Sequence, residues 1–238
     1  MTADAGMWPS GTLGRLPGAK CVLAVVARPG DEACYLGAVL DAFRRNGSQV
    51  SVLAISRGDA SPYNDSMERL TAVRPYEFDA AASALRASHC MLADYPEAEL
   101  RRLPVARLAE RVIRMVREWR VDLLLTVDGR LGDRIAACVA CHAGRELNVP
   151  VLGWTLPHDV AKVVRETTGL SVTGDADLRI DFELRVPRNA QQYAMRAHGS
   201  QARGDGTHLA RLAVQGDREW LRWLVPCGDV AEKEKGRA

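Results

Sequence analysis

The sequence predicts an α/β protein with a doubly wound, mostly parallel sheet, and three observations carry that prediction. Short continuous apolar runs recur along the chain, each of the length of a buried strand. Segments with helical spacing of apolar residues separate them, and strands alternating with helices build parallel sheets. The chain has 238 residues, 47% of them hydrophobic and 26% charged, enough to bury a core as one domain without disulfide staples.

The elements follow in order. Residues 1–19 read as a flexible arm, residues 20–227 as one α/β domain, and 228–238 as a charged tail. Cys21–Ala27 is an apolar run and a first strand. Asp31–Asn46 has helical spacing and stops at Gly47. Val50–Ile55 is a second strand, followed by a Gly-, Asp-, Ser- and Pro-rich loop over 57–65. Arg74–Ala87 reads as a helix with Pro75 in its first turn. Cys90–Ala93 is a short strand, and Val105–Arg120 a helix with Leu108, Val112, Met115, Val116 and Trp119 on one face. Val121–Val127 and Val149–Leu156 are strands around a helix at Ile135–Leu147. The last third reads as an antiparallel and helical addition: an edge within Leu170–Val186, a helix at Arg188–Arg203, and a short helix at Asp217–Leu224 with Trp220 and Trp223.

Composition excludes some classes of function. The net charge is +2, from 32 basic and 30 acidic residues, which leaves no footprint for nucleic acid. No apolar run approaches the roughly 20 residues of a membrane span, and no secretory leader is evident. The six cysteines are dispersed and read as reduced thiols, so a cytoplasmic setting is expected. Cys138-Val-Ala-Cys141-His142 fits the haem-attachment spacing, but it falls inside a predicted helix and reads as a chance match.

Ligands of such sheets sit beyond the carboxyl ends of the strands, at a topological switch point. That directs attention to Arg28–Glu32, Arg57–Asn64 and Asp128–Arg134. Ala27-Arg28-Pro29-Gly30-Asp31-Glu32 resembles the A-H-P-D-D-E signature of the LmbE/PIG-L superfamily of zinc-dependent de-N-acetylases. The similarity continues through Ser56-Arg57-Gly58-Asp59-Ala60-Ser61, Arg74-x-x-Glu77 and Leu92-Ala93-Asp94-Tyr95-Pro96. It extends through Trp154-Thr155-Leu156-Pro157 to Ala197-His198-Gly199-Ser200-Gln201. The resemblance covers roughly residues 21–203 and implies a Rossmann-like, LmbE-like fold.

It also implies a site, and the sequence departs from the family there. The family holds zinc with a His and an Asp of the first motif and a His of a later H-P-D-H motif. The other Asp of the first motif is the general base. Here Arg28 stands at the first His position, Gly30 at the base position and Arg134 at the later His position, while Asp31 is retained. Arginine has no lone pair to give a metal. The expectation is therefore that zinc takes no part and the site is degenerate. Arg28 and Arg134 would then supply the positive charge, paired with Asp31 and Asp133. Arg28, Arg74, Asp94, Asp133 and Arg134 are candidate substrate-binding residues. Asp31, Glu32 and His198 are candidates for any chemistry, although His198 reads first as a structural hydrogen-bonding group.

The expected function is a de-N-acetylase homologue, a pseudoenzyme or repurposed protein, binding a polar or anionic small molecule such as an amino sugar or biosynthetic intermediate. One alternative is an active amide hydrolase with zinc on other ligands. Another is a structural or regulatory partner, including a homo-oligomer.

Overall fold

The computed structural model describes residues 12–13, 15–60, 66–131, 134–170, 172 and 180–225. Asp133, the tail at 228–238 and part of the expected edge at 170–186 lie outside them. A single eight-stranded sheet runs through the molecule in the order β1-β7-β8-β6-β5-β2-β3-β4. Its strands are β1 (Thr12–Leu13), β2 (Cys21–Val26), β3 (Gln49–Ser56), β4 (His89–Tyr95), β5 (Leu123–Val127), β6 (Val151–Thr155), β7 (Phe182–Arg185) and β8 (Arg218–Val225). Strands β2 to β6 pair in parallel. Their side chains are apolar on both faces because helices cover both sides, which is why they read as continuous runs.

Helices α3 (Val105–Glu118) and α4 (Arg134–Leu147) close one face, packing on Leu23, Val25, Leu53 and Leu124. Helices α1 (Gly37–Arg45), α2 (Met67–Ala84), α5 (His158–Thr168), α6 (Asn189–Ala197) and α7 (Asp205–Gln215) close the other, around Trp154, Phe43, Phe78 and Leu152. The order reverses between β2 and β5: one run continues through β3 to β4, the other through β6. The crevice at the carboxyl ends of β2 and β5 is therefore the switch point.

Several sequence expectations are corrected. Helix α2 begins at Met67, where the Ser66 side chain accepts from the backbone of Arg69, so Pro75 lies inside the helix rather than in its first turn. The Trp220 segment is strand β8, antiparallel to both β6 and β7, not a helix. Its two tryptophans are three residues apart, a spacing that a helix and a doubly covered strand share. Helices α5 and α7 were not expected. The helix expected over 188–203 stops at Ala197, and 3₁₀ turns follow over Gly199–Gly204. Thr12–Leu13, within the expected arm, pair with β7. Among the described residues no helix is long and apolar enough to cross a membrane.

Candidate functional site

Strand β2 ends at Val26, and the chain turns through Arg28–Gly30 into a wide helical turn over Glu32–Leu36 that leads into α1. The turn is built by buried charge. Glu32, fully buried, accepts from the Gly30 backbone at 2.7 Å and meets His198 Nε2 at 2.6 Å. Arg74, also buried, reaches from α2 to donate to the Pro29 carbonyl at 2.9 Å. Two glycines with positive φ shape the turn. Gly30 has φ +104°, and a Cβ there would face the Arg74 guanidinium and the His198 ring, each at 4.0 Å. Gly58 has φ +67°, and a Cβ there would lie 2.9 Å from Pro29.

Motifs distant in sequence lock one another. Glu77, three residues after Arg74, accepts from the backbone and the hydroxyl of Ser200, both at 2.6 Å. His198 and Ser200 thereby tie the end of α6 to the first motif and to α2. The Nδ1 of His198 and the Nε of Arg74 are buried without a partner among the described residues.

The mouth of the turn carries Arg28, which stands where the resemblance leads one to expect a histidine. Arg28 is 38% exposed and its Nη1 donates to Glu97 at 2.9 Å, while its Nε lies 3.6 Å from Asp31. The bidentate Arg28–Asp31 contact is thus not the principal one: Glu97, in the 3₁₀ turn after β4, takes the stronger bond. Glu97 itself is fixed by Asp59, which accepts from its backbone at 2.8 Å. Its second carboxylate oxygen is buried and unpartnered among the described residues. Burial pushes the Glu97 carboxyl up from its ordinary value, against the opposing pull of Arg28, the Ala60 backbone amide and Arg74. Burial likewise raises the Tyr35 phenol to about 12, with Asp31 adding to the shift and Arg211 opposing it. No motif singled out Glu97, because the matched segment Leu92-Ala93-Asp94-Tyr95-Pro96 stops one residue before it.

The remaining candidates fall elsewhere. Asp94 is largely exposed and paired with Arg57 at 2.5 Å. Arg134 is exposed, lines a groove along α4, and forms no ion pair with a described residue, so the alternative Arg134–Asp31 contact is absent from the described residues. Asp128 is buried and held by Arg222 at 2.5 Å. Cys138 and Cys141 are free thiols on α4, within the helix that contains the haem-like spacing.

A parallel sheet with charged loops gathered at its switch point is an α/β scaffold of the kind that carries ligand sites. The chain is, more narrowly, LmbE/PIG-L-like: residues 23–136 match the PIG-L family, GlcNAc-PI de-N-acetylase. Among solved structures, a triple mutant of the deacetylase of the teicoplanin biosynthetic pathway superposes with a TM-score of 0.66 at 22% identity, over 88% of this chain and 99% of that one. The zinc-inhibited form of teicoplanin deacetylase gives 0.65 at 19%, over 88% and 99%. The 4-carboxy-2-hydroxymuconate hydratase of Pseudomonas putida gives 0.63 at 16%, over 87% and 97%. At these identities the likeness establishes the fold. No curated protein matches the sequence.

The expectation that zinc takes no part is corrected by these relatives. One of them is the zinc-inhibited form of teicoplanin deacetylase, which points to zinc in the family. The donor set of this chain nevertheless does not fit the ion at the family positions. Arg28 and Arg134 offer no lone pair, and Asp31 lies beside Arg28. Among the described residues no three His, Cys, Asp or Glu side chains gather as a metal site. Family and donor set point in different directions, and zinc titration of the purified protein separates them.

Proposed function

We propose that this LmbE/PIG-L-like chain binds a polar small molecule at the mouth formed by Arg28, Asp31 and Glu97, an amino sugar or biosynthetic intermediate that carries a carboxylate or phosphate. Arg28 contacts the anionic group, since a half-exposed guanidinium presents a planar pair of donors to it. Glu97 exchanges a proton with the ligand. The observation that carries this reading is Glu97 itself: one oxygen on Arg28, the other buried and unpartnered, and an affinity for protons raised by burial. Glu32, His198 and Arg74 are positioning residues that hold the turn from beneath. Asp31 completes the mouth. Arg57 with Asp94 belongs to the rim. A neighbour of the same fold is by name a hydratase of a carboxylated compound, which supports an anionic ligand.

Calorimetry with N-acetylmuramic acid against N-acetylglucosamine tests the reading. The carboxylated sugar should bind more tightly, and Arg28→Gln should erase the difference. Equal binding of the two sugars, or a preference that survives Arg28→Gln, would sink it. A second reading, hydrolysis of the acetamide, is favoured by the deacetylase neighbours. Acetate release from either sugar, measured with added zinc and after chelation, supports or removes it.

A further inference from the structure

A groove of about 600 Å³ lies outside the mouth just described, along the outer side of α4. It begins at Asp128, Gly129, Arg130 and Arg134, at the carboxyl end of β5. It passes over Ala137, Cys138 and Cys141 toward His142 and Arg145, with Arg222 and Leu224 of β8 as its wall. Residues 134, 138, 141 and 145 follow one another at spacings of three and four, so they share one face of the helix. The 1.5 Å rise per residue puts the backbones of Arg134 and Arg145 about 16 Å apart.

The groove's charge is one-sided. Among the described residues, Arg130, Arg134, Arg145 and Arg222 line it against one carboxylate, Asp128, which is already held by Arg222 and by the Arg130 backbone. Arg134 and Arg145 form no ion pair with a described residue. The thiol between them adds no anion, because burial raises the pKa of Cys141, with Arg145 and Arg222 both near enough to oppose the shift. A pocket of this size suits a small molecule, and one with excess guanidinium suits an anion.

We propose that the α4 groove is a second binding site, for a small dianion with separated charges, a dicarboxylate or a diphosphate. One charged end meets Arg222 and Arg134, the other meets Arg145, and the body lies over Ala137, Cys141 and Leu224. The site uses none of the Arg28–Glu97 mouth, so it stands or falls independently of the function proposed above.

The test is calorimetry of the full chain at low salt with glutarate and with pyrophosphate, using acetate as the single-charge control. At least one dianion should bind saturably, and which one does so distinguishes carboxylate from phosphate recognition. Arg145→Gln should weaken it about tenfold, the loss of one charge-assisted contact. Arg107→Gln, on the exposed side of α3, should leave it unchanged. Arg145 is exposed, so its substitution spares the fold, whereas Arg222→Gln also releases Asp128. Bound dianion should also slow alkylation of the α4 thiols, read by mass spectrometry. Absence of saturable binding by both dianions, affinity unmoved by Arg145→Gln, or alkylation indifferent to the ligand would each overturn the proposal.

Discussion

Two groups of charged and polar side chains flank the first turn of this molecule, and they are built differently. Behind it, Glu219 is fully buried and bonds Arg188, the Trp154 indole at 2.5 Å and Gln215 at 3.3 Å. Arg211, equally buried, donates to Gln215 and to the Cys34 carbonyl and lies over the rings of Tyr35 and Trp154. Arg188 adds bonds to Gln191 and to the carbonyls of Gly216 and Arg218. That network joins α6, α7, β8 and the first turn, and its carboxylate is enclosed by donors. In front, Arg28 and Glu97 are part-exposed, and one Glu97 oxygen has no described partner. A closed, nearly satisfied network serves as scaffold. An open one with spare bonding capacity at a switch point is where a ligand has something to gain.

The largest effect should come from opening the closed network. Glu219→Gln leaves Arg188 and Arg211 buried without their counter-charge, a loss of about 3–5 kcal/mol. Urea denaturation measures it, and a loss below about 1 kcal/mol would show that the network is not the scaffold described. Gly30→Asp should come next. It places the aspartate that the resemblance implies at a position with φ +104°, where a side chain is strained by about 1–3 kcal/mol. A variant as stable as the parent would mean that the turn relaxes, and that the replacement of the base is not locked in by the backbone.

His208 gives an effect confined to acid. It stacks edge-on against Tyr35, and burial first, then Arg211, lowers its pKa from 6.5 to about 4. The unfolded chain therefore binds a proton that the folded chain refuses between pH 6.5 and about 4. Stability is unaffected above that window and falls as pH drops through it, by about 3 kcal/mol in all. His208→Phe should flatten that limb of the pH–stability curve. An unchanged limb would place the acid sensitivity elsewhere.

The legibility of the fold followed how each element buries its apolar residues. Strands β2, β3, β5 and β6 are covered on both faces and announced themselves as unbroken runs. Helix α3 showed a clean apolar stripe. Strand β8 carries apolar side chains on both faces with Arg222 among them, so its period was ambiguous. Helix α5 buries only Ala161 and Val164, too little to stand out beside its Val and Thr residues. At the site, motif spacing found Arg28, Asp31, Glu32, Arg74 and His198, and the fold brings Glu32 to His198 and Arg74 to Pro29. Glu97 stayed hidden because its importance comes from a partner 69 residues away and from burial, neither of which is written in local sequence. Arg134 was placed by alignment, whereas the start of α4 turns it into a different groove.

The smallest stability effect belongs to Arg28→Gln, and it tests the contrast most directly. The pair is part-exposed, so its loss should cost no more than about 1 kcal/mol, well short of Glu219→Gln. Its electrostatic consequence is distinct. Arg28 is the largest of the influences that hold the Glu97 carboxyl down against burial, so its removal should let that pKa rise further. NMR titration of the Glu97 side chain reads the shift directly. A carboxyl that does not move would mean that solvent screens the pair, and that burial sets the proton affinity of Glu97 without Arg28. A large loss of stability would instead place the mouth with the scaffold and remove the distinction between the two clusters.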